Sequence, residues 1–299
     1  MSSLIRAIEA VSGLGLGGLA YGLTEAQMFT TREQSAAVLA SGRSNLKILH
    51  LSDLHLTPRQ NRKIQWVSAL ADLDPDLVVV TGDFMGHKLG VSAIVEALGD
   101  LLNKPGVFVF GSNDYYAPEI KNPFSYFNSN RKIAPKGKRL PTDYLADVLT
   151  NAGWFNLNNA QTQLIIDGLP IHARGTNDAH INLDDYESVA GPFHPGTLAL
   201  GVTHSPYSRV TNSFFQDGAD IVLAGHTHGG QVCIPFYGAL ITNCDLPRSQ
   251  AKGLSTITDG VRETLLHVSA GVGTSPFTPI RVACRPEATL LTLVSRSTS

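Results

Sequence analysis

Five short clusters of acid, imidazole and amide side chains punctuate the chain: Asp53-Leu54-His55, Gly82-Asp83, Gly111-Ser112-Asn113-Asp114, His204, and Gly225-His226-Thr227-His228-Gly229-Gly230. Carboxylate oxygen and neutral imidazole nitrogen suit divalent first-row metals such as Mn, Fe or Zn, and a carboxylate can bridge two of them. Two cations about 4 Å apart clamp a phosphoryl group, acidify a water between them and stabilise the entering and leaving oxygens. Taken singly, Asp-x-His and Gly-Asp are ordinary turn pairs. Gly-His-x-His-Gly-Gly is stronger, because two histidines among glycines on a loop serve packing poorly. The weight lies in the order of all five, each placed after an apolar run.

Those runs are the elements that must position the clusters. Residues 46–51 (LKILHL) and 77–80 (LVVV) read as buried strands, with helical spacing over 64–73 between them and a stop before Asp74-Pro75. This is a βαβ unit with parallel strands. Residues 91–102 supply a second helix and 107–110 a third strand, so three strands each end in a polar cluster, where sites of open α/β sheets collect. The second half carries short candidate strands at 163–166, 198–203, 221–223, 265–268 and 289–294, which imply a mixed second sheet.

The chain has 299 residues, 43% of them hydrophobic and 16% charged, the balance of a folded protein with a substantial core. A net charge of -2 exerts no global pull on nucleic acid, and no nucleic-acid partner is expected. Cys233, Cys244 and Cys284 have no metal-ligand spacing and read as free thiols. Residues 10–24 are uncharged. As helix they reach about 22 Å, short of the roughly 30 Å hydrocarbon core, so residues 4–24 are read as membrane-contacting rather than spanning. A signal-peptide core and a buried glycine-rich helix are the alternatives. The division expected is a hydrophobic N-terminal segment, 1–42, and a catalytic domain, 43–299, interrupted by a basic insertion at 115–141.

From Leu46 onward the chain resembles the calcineurin-like metallophosphoesterases, whose motifs run D-x-H, G-D, G-N-H-D/E, H and G-H-x-H. The stretches 225–238 and 265–293 resemble the bacterial branch containing membrane-associated phosphodiesterases. The resemblance implies an α/β fold, a four-layer α/β/β/α sandwich of two mixed sheets. It also implies two divalent metal ions. One would be held by Asp53, His55, Asp83 and His228, the other by Asp83 as bridge, an amide of the third motif, His204 and His226. The function implied is that of a phosphodiesterase in which a metal-bridging hydroxide attacks phosphorus. A catalytically impaired binding module of the same fold is the rival reading.

The third motif departs from the pattern: Ser112 stands where the family has its metal-binding Asn, and Asn113 where it has the His credited as general acid. Either Asn113 takes the ligand role after a small shift, or Ser112 or water fills it. General acid help is worth on the order of 10²–10⁴ in rate, so its loss would slow poor leaving groups most. His87 and His180 are the candidates to replace the missing imidazole. Tyr115 and Tyr116 are candidate lining for substrate, and Asp114 is expected to brace a ligand histidine. The apolar N-terminus tilts the substrate toward a lipid-linked or nucleotide-lipid phosphate ester and the location toward the cytoplasmic face of a membrane.

Overall fold

A computed structural model describes residues 15–119 and 137–296 of the chain. The first fourteen residues of the N-terminal segment, and Lys121, Arg131, Lys132 and Lys136 of the basic insertion, lie outside the described residues.

In chain order, α1 (15–25) leads into β1 (Thr30–Leu39), β2 (Leu46–Leu51), α2 (Asn61–Ser68), β3 (Leu77–Thr81), α3 (Gly90–Leu98) and β4 (Gly106–Val109). The short α4 (Ser112–Tyr115), α5 (Thr142–Asn151) and β5 (Phe155–Asn156) follow, then β6 (Ala160–Ile166), β7 (Leu169–Gly175), β8 (Leu198–Val202), α6 (Ser208–Asp217) and β9 (Ile221–Ala224). A small hairpin, β10 (Cys233–Ile234) and β11 (Gly238–Ala239), precedes β12 (Gly253–Thr258), β13 (Glu263–Val268) and β14 (Glu287–Ser295).

Two mixed six-stranded sheets result, ordered β1-β14-β2-β3-β4-β5 and β12-β13-β9-β8-β7-β6. The period-two alternation of β2 shows why they stack. Leu46 and Ile48 enter the core between the sheets, where they meet Leu200, Val202 and Leu223 of the second sheet. Leu49 and Leu51 point the other way, into a core closed by Ile64 of α2, Ile94 of α3 and Leu145 of α5. The outer face of the second sheet packs Val222 and Leu266 against Val210 and Phe214 of α6. The layers therefore run helix, sheet, sheet, helix. This is the α/β/β/α architecture the motifs imply.

No local pattern marks β1, which falls inside the stretch read as N-terminal segment. Its first half, TTREQS, is polar and half exposed, and only Ala36, Val38 and Leu39 are buried, so no alternation marks it. Its identity comes from a distant partner: β14 returns from the end of the chain, pairs parallel with β1 and antiparallel with β2, and so builds β1 into the first sheet.

Between the sheets, His50 of β2 and His267 of β13 share a 2.8 Å bond between their Nδ1 atoms, and His50 Nε2 lies 2.9 Å from Thr81 Oγ1. Burial holds both imidazoles below their ordinary value, His267 down to about 4. A neutral ring offers one donor and one acceptor, so such a pair can bond ring to ring. Neither histidine belongs to a metal-type donor group among the described residues. Among the described residues no helix is long and apolar enough to cross a membrane.

The inter-sheet core makes a direct prediction. Leu200→Ala, at a fully buried position of β8, is expected to lower unfolding free energy by about 2–5 kcal/mol in denaturant titrations. A loss below about 1 kcal/mol would show that the two sheets are not packed through this side chain.

Candidate metal centre

The carboxyl ends of β2, β3, β4, β8 and β9 lie along one edge of the two stacked sheets, and each of the five clusters begins within two residues of one of them. Two groups of donors form there among the described residues: Asp53, His55 and His228, and Asp53, Asp83 and His204, with the donor atoms of each group all within 4.8 Å of one another. Asp83 Oδ2, in the second group, sits 3.6 Å both from His55 Nε2 of the first and from His204 Nε2 of its own. His228 Nε2 is 3.5 Å from Asp53 Oδ1 and 3.3 Å from His55 Nε2. His226 belongs to neither group, but its ring centroid lies 5.2 Å from that of His204.

Does this set fit a cation? Asp53 Oδ1 and His204 Nε2 are buried and have no hydrogen-bond partner among the described residues. A buried polar atom without a partner costs about 1–3 kcal/mol, more when charged. Oxygen and imidazole donors left open toward one another are what a divalent first-row ion takes. The donor set fits.

Protonation tells the same story. Burial alone would raise Asp53 and Asp83, but the surrounding imidazoles outweigh it and hold both carboxyls below the usual range. Burial pushes His55 and His226 down, and His228 down to about 4. At neutral pH these three are uncharged, the form that binds metal. His204 differs. Burial opposes its charge, yet the carboxylates of Asp83, Asp178 and Asp53 raise it to about 9. A proton on His204 therefore supplies the positive charge the two aspartates require.

Supporting contacts orient the donors. His204 Nδ1 donates to the carbonyl of Thr81 at 2.6 Å, which turns Nε2 toward Asp83. Ser52 Oγ donates to Asp53 Oδ2 at 2.7 Å, and the His226 N–H reaches the same oxygen at 3.0 Å. His226 Nε2 lies 3.1 Å from the Asn243 carbonyl. Arg281, fully buried, donates to the carbonyls of Ala270, Gly271 and Gly273 at 2.7, 3.0 and 2.7 Å and stands 3.4 Å from His228 Nδ1. Sequence reading passed over Ser52, Thr81, Asn243 and Arg281. Ser52 and Thr81, adjoining the first and second motifs, carried a positional signal.

In the third motif, Asn113 is the residue docked on Asp83: its N–H donates to Oδ1 at 2.8 Å and its Nδ2 to Oδ2 at 2.6 Å. Ser112 is the first residue of α4, behind the extended Gly111. A Cβ at Gly111 would collide with Asp83 Oδ1 and sit 2.6 Å from His204 Nε2, so glycine lets the β4 end approach the centre. Asp114 does not brace a histidine. It accepts the N–H groups of Met85 and Gly111, tying the second and third motif loops together.

The two candidate substitute histidines fare differently. His87 is exposed, its Nδ1 accepting the Leu89 N–H. His180 is buried, packs on His226 with ring centroids 4.4 Å apart and lies 3.1 Å from the Tyr207 hydroxyl. Tyr115 reaches Asn177 Oδ1 with its hydroxyl at 2.9 Å and sets its ring edge-on to Phe110, while Tyr116 lies beside the Arg139 guanidinium.

Residues 46–230 match the sequence profile of the calcineurin-like phosphoesterases. The metallophosphoesterase YkuE of Bacillus subtilis (strain 168) is 25% identical over 311 aligned positions, covering 99% of this chain and 95% of its own length. The phosphodiesterase YaeI of Escherichia coli (strain K12) is 26% identical, covering 83% and 82%. The UDP-2,3-diacylglucosamine pyrophosphatase LpxG of Chlamydia trachomatis is 27% identical, covering 82% and 83%.

The His204 proton yields a pH prediction. Below about pH 9 it is present in the metal-free protein, and a cation bound through His204 Nε2 would have to displace it. Affinity for Mn is therefore expected to rise with pH from 6.5 toward 9 by up to about tenfold per unit, with about one proton released per chain. Calorimetry in buffers of different ionisation enthalpy reads that proton directly. Affinity flat across this range would refute the assignment.

Proposed function

The chain belongs to the calcineurin-like phosphoesterase family and is a metal-dependent hydrolase of phosphate esters; from that premise we propose that it is a phosphodiesterase working with two divalent cations, Mn, Fe or Zn. Asp53, His55, Asp83 and His228 would hold one cation, and Asp83, Asn113, His204 and His226 the other. The observation that carries this reading is a pair of buried donor atoms without a hydrogen-bond partner among the described residues, Asp53 Oδ1, which both donor groups share, and His204 Nε2. When bound, the cations supply Lewis acidity and an activated water.

The chain's own residues do the rest. Asp83, equidistant from His55 and His204, fills the position of a bridge. The docking of Asn113 on Asp83 supports its taking the amide ligand role, through the carbonyl oxygen that cations prefer. The usual acid position is then left without an imidazole. Leaving groups that depart without protonation are favoured, and His180, against His226, is the imidazole available to soften that limit.

The substrate class proposed is a lipid-linked or nucleotide-lipid phosphate ester. Its supports are the uncharged run over residues 10–24 and the likeness to an enzyme named for a diacylated sugar nucleotide. The catalytic domain is taken as 43–299, with β1 completing its first sheet from the preceding segment.

Asp83→Ala is expected to cut hydrolysis of a chromogenic phosphodiester by on the order of 10³ or more, since both cations lose a ligand. Full activity in this variant would sink the mechanism. Asn113→Ala should lower bound metal from two ions per chain toward one, read by elemental analysis after gel filtration. Across a series of aryl phosphodiesters, the wild-type rate should fall steeply as leaving-group pKa rises. A flat dependence would mean that an efficient acid is present after all.

A further inference from the structure

One segment links three exposed features around the metal centre. The stretch 280–285 runs beneath them: Arg281 donates its N–H to the Gly22 carbonyl of α1, and Val282 pairs with Val232 at the root of the β10–β11 hairpin. On one side of it, α1 presents Leu16, Leu19 and Leu23 to solvent at helical spacing i, i+3, i+7. On the other, the hairpin tip holds Phe236 fully exposed and Tyr237 mostly so, with the Arg248 guanidinium 4.8 Å above the Tyr237 ring. At its end, Arg285 joins Arg62 in lining a groove of about 520 Å³ whose floor is Met28, Phe29 and Trp66, the last two stacked at 5.3 Å.

We infer that this face is a docking surface for an anionic lipid bilayer. Three properties choose that occupant. The apolar side chains stand singly on a helix stripe and a finger tip rather than forming a concave slot, the shape that inserts between headgroups. The groove at the end of that segment carries two guanidinium groups and no acid among its lining residues, complementary to lipid phosphate. The apolar sequence also continues upstream of α1 through Leu14, Val11 and Ala10. The hairpin grows directly out of the metal loop: it follows His228-Gly229-Gly230, and the chain leaving it reaches His226 through Asn243. A bilayer at the tip would bring a lipid phosphate to the mouth of the centre. The inference rests on the lipid-linked part of the functional reading and not on the two-metal assignment.

The test is flotation of the full chain with phosphatidylcholine vesicles, with and without phosphatidylglycerol. Wild type should float with the anionic vesicles. Phe236→Ser with Tyr237→Ser should weaken that partition by on the order of tenfold or more. Arg62→Ala with Arg285→Ala should weaken it by on the order of tenfold on anionic vesicles only. Hydrolysis of a soluble chromogenic diester should stay at wild-type level in both variants. If the hairpin change disturbs the metal loop and lowers that activity, Leu16→Ser with Leu19→Ser carries the same expectation far from it. Wild type that stays with the unfloated fraction, or variants that float as wild type does, would overturn the proposal. So would variants that turn a dimer into a monomer with flotation unchanged, because the face would then join two copies of the chain. Failure of the two-metal reading would appear instead in the soluble assay.

Discussion

Five of the seven side chains converging on the centre stand on left-handed backbone: Asp53, His55, Asp83, His226 and His228 have φ between 43° and 70°. For residues other than glycine this conformation costs of order 1–3 kcal/mol, and it persists only where neighbours over-determine it. Here they do. The Asp53 N–H is held by the Gly82 carbonyl and the His55 N–H by the Asp83 carbonyl, so the first two loops fix each other. Gly271 closes over the first from above, its absent Cβ leaving room where Asp53 Cβ would lie 2.7 Å away. The two sheets serve this arrangement by bringing strand ends together at one edge, where chain reversal can turn donors inward within one or two residues.

That geometry creates an electrostatic problem that the protein alone solves incompletely. Two carboxylates are buried side by side, and an unpaired buried charge is expensive. A third carboxyl, Asp114, escapes by keeping its proton: burial and the nearby charge of Asp83 push it up to about 8. His204 contributes one positive charge, and the other three imidazoles are too deeply buried to contribute theirs. The two buried carboxylates and the open lone pair of Asp53 Oδ1 point in the same direction, toward cations. Strain and charge are thus two faces of one design, in which ligands are set in place before their metal.

Much of this was legible in the sequence because the motifs and the strands that carry them are contiguous. LKILHL precedes Asp53 and LVVV precedes Asp83, and these became β2 and β3 with nearly the bounds expected. What escaped notice depends on partners far away in the chain. β1 is a strand because β14 lies beside it, and α6, whose sequence SRVTNSFFQD is mostly polar, is a helix with only Val210, Thr211 and Phe214 buried. The third motif shows the same limit at finer scale. Column by column, Ser112 occupies the ligand position. In space it is Asn113 that reaches Asp83, because Gly111 remains extended and α4 then starts so that its second residue faces that carboxylate. Alignment by spacing cannot register a shift that is made by backbone torsion.

Arg281 joins the centre to the surface. Its guanidinium is wholly buried and its pKa is lowered by that burial, yet the charge is retained by carbonyls on the loop of Gly271 and by the backbone of His228. Its own N–H is given to α1, whose Glu25 carboxylate in turn receives the N–H groups of Ala283 and Cys284 at 3.0 and 2.8 Å. A helix on the outside and a ligand loop within are therefore pinned to the same four residues, 281–284. Any tilt of α1 pulls on the segment whose side chain holds the metal loop closed. The position of α1 and the orientation of His228 in the centre are in this way set by one short stretch of chain.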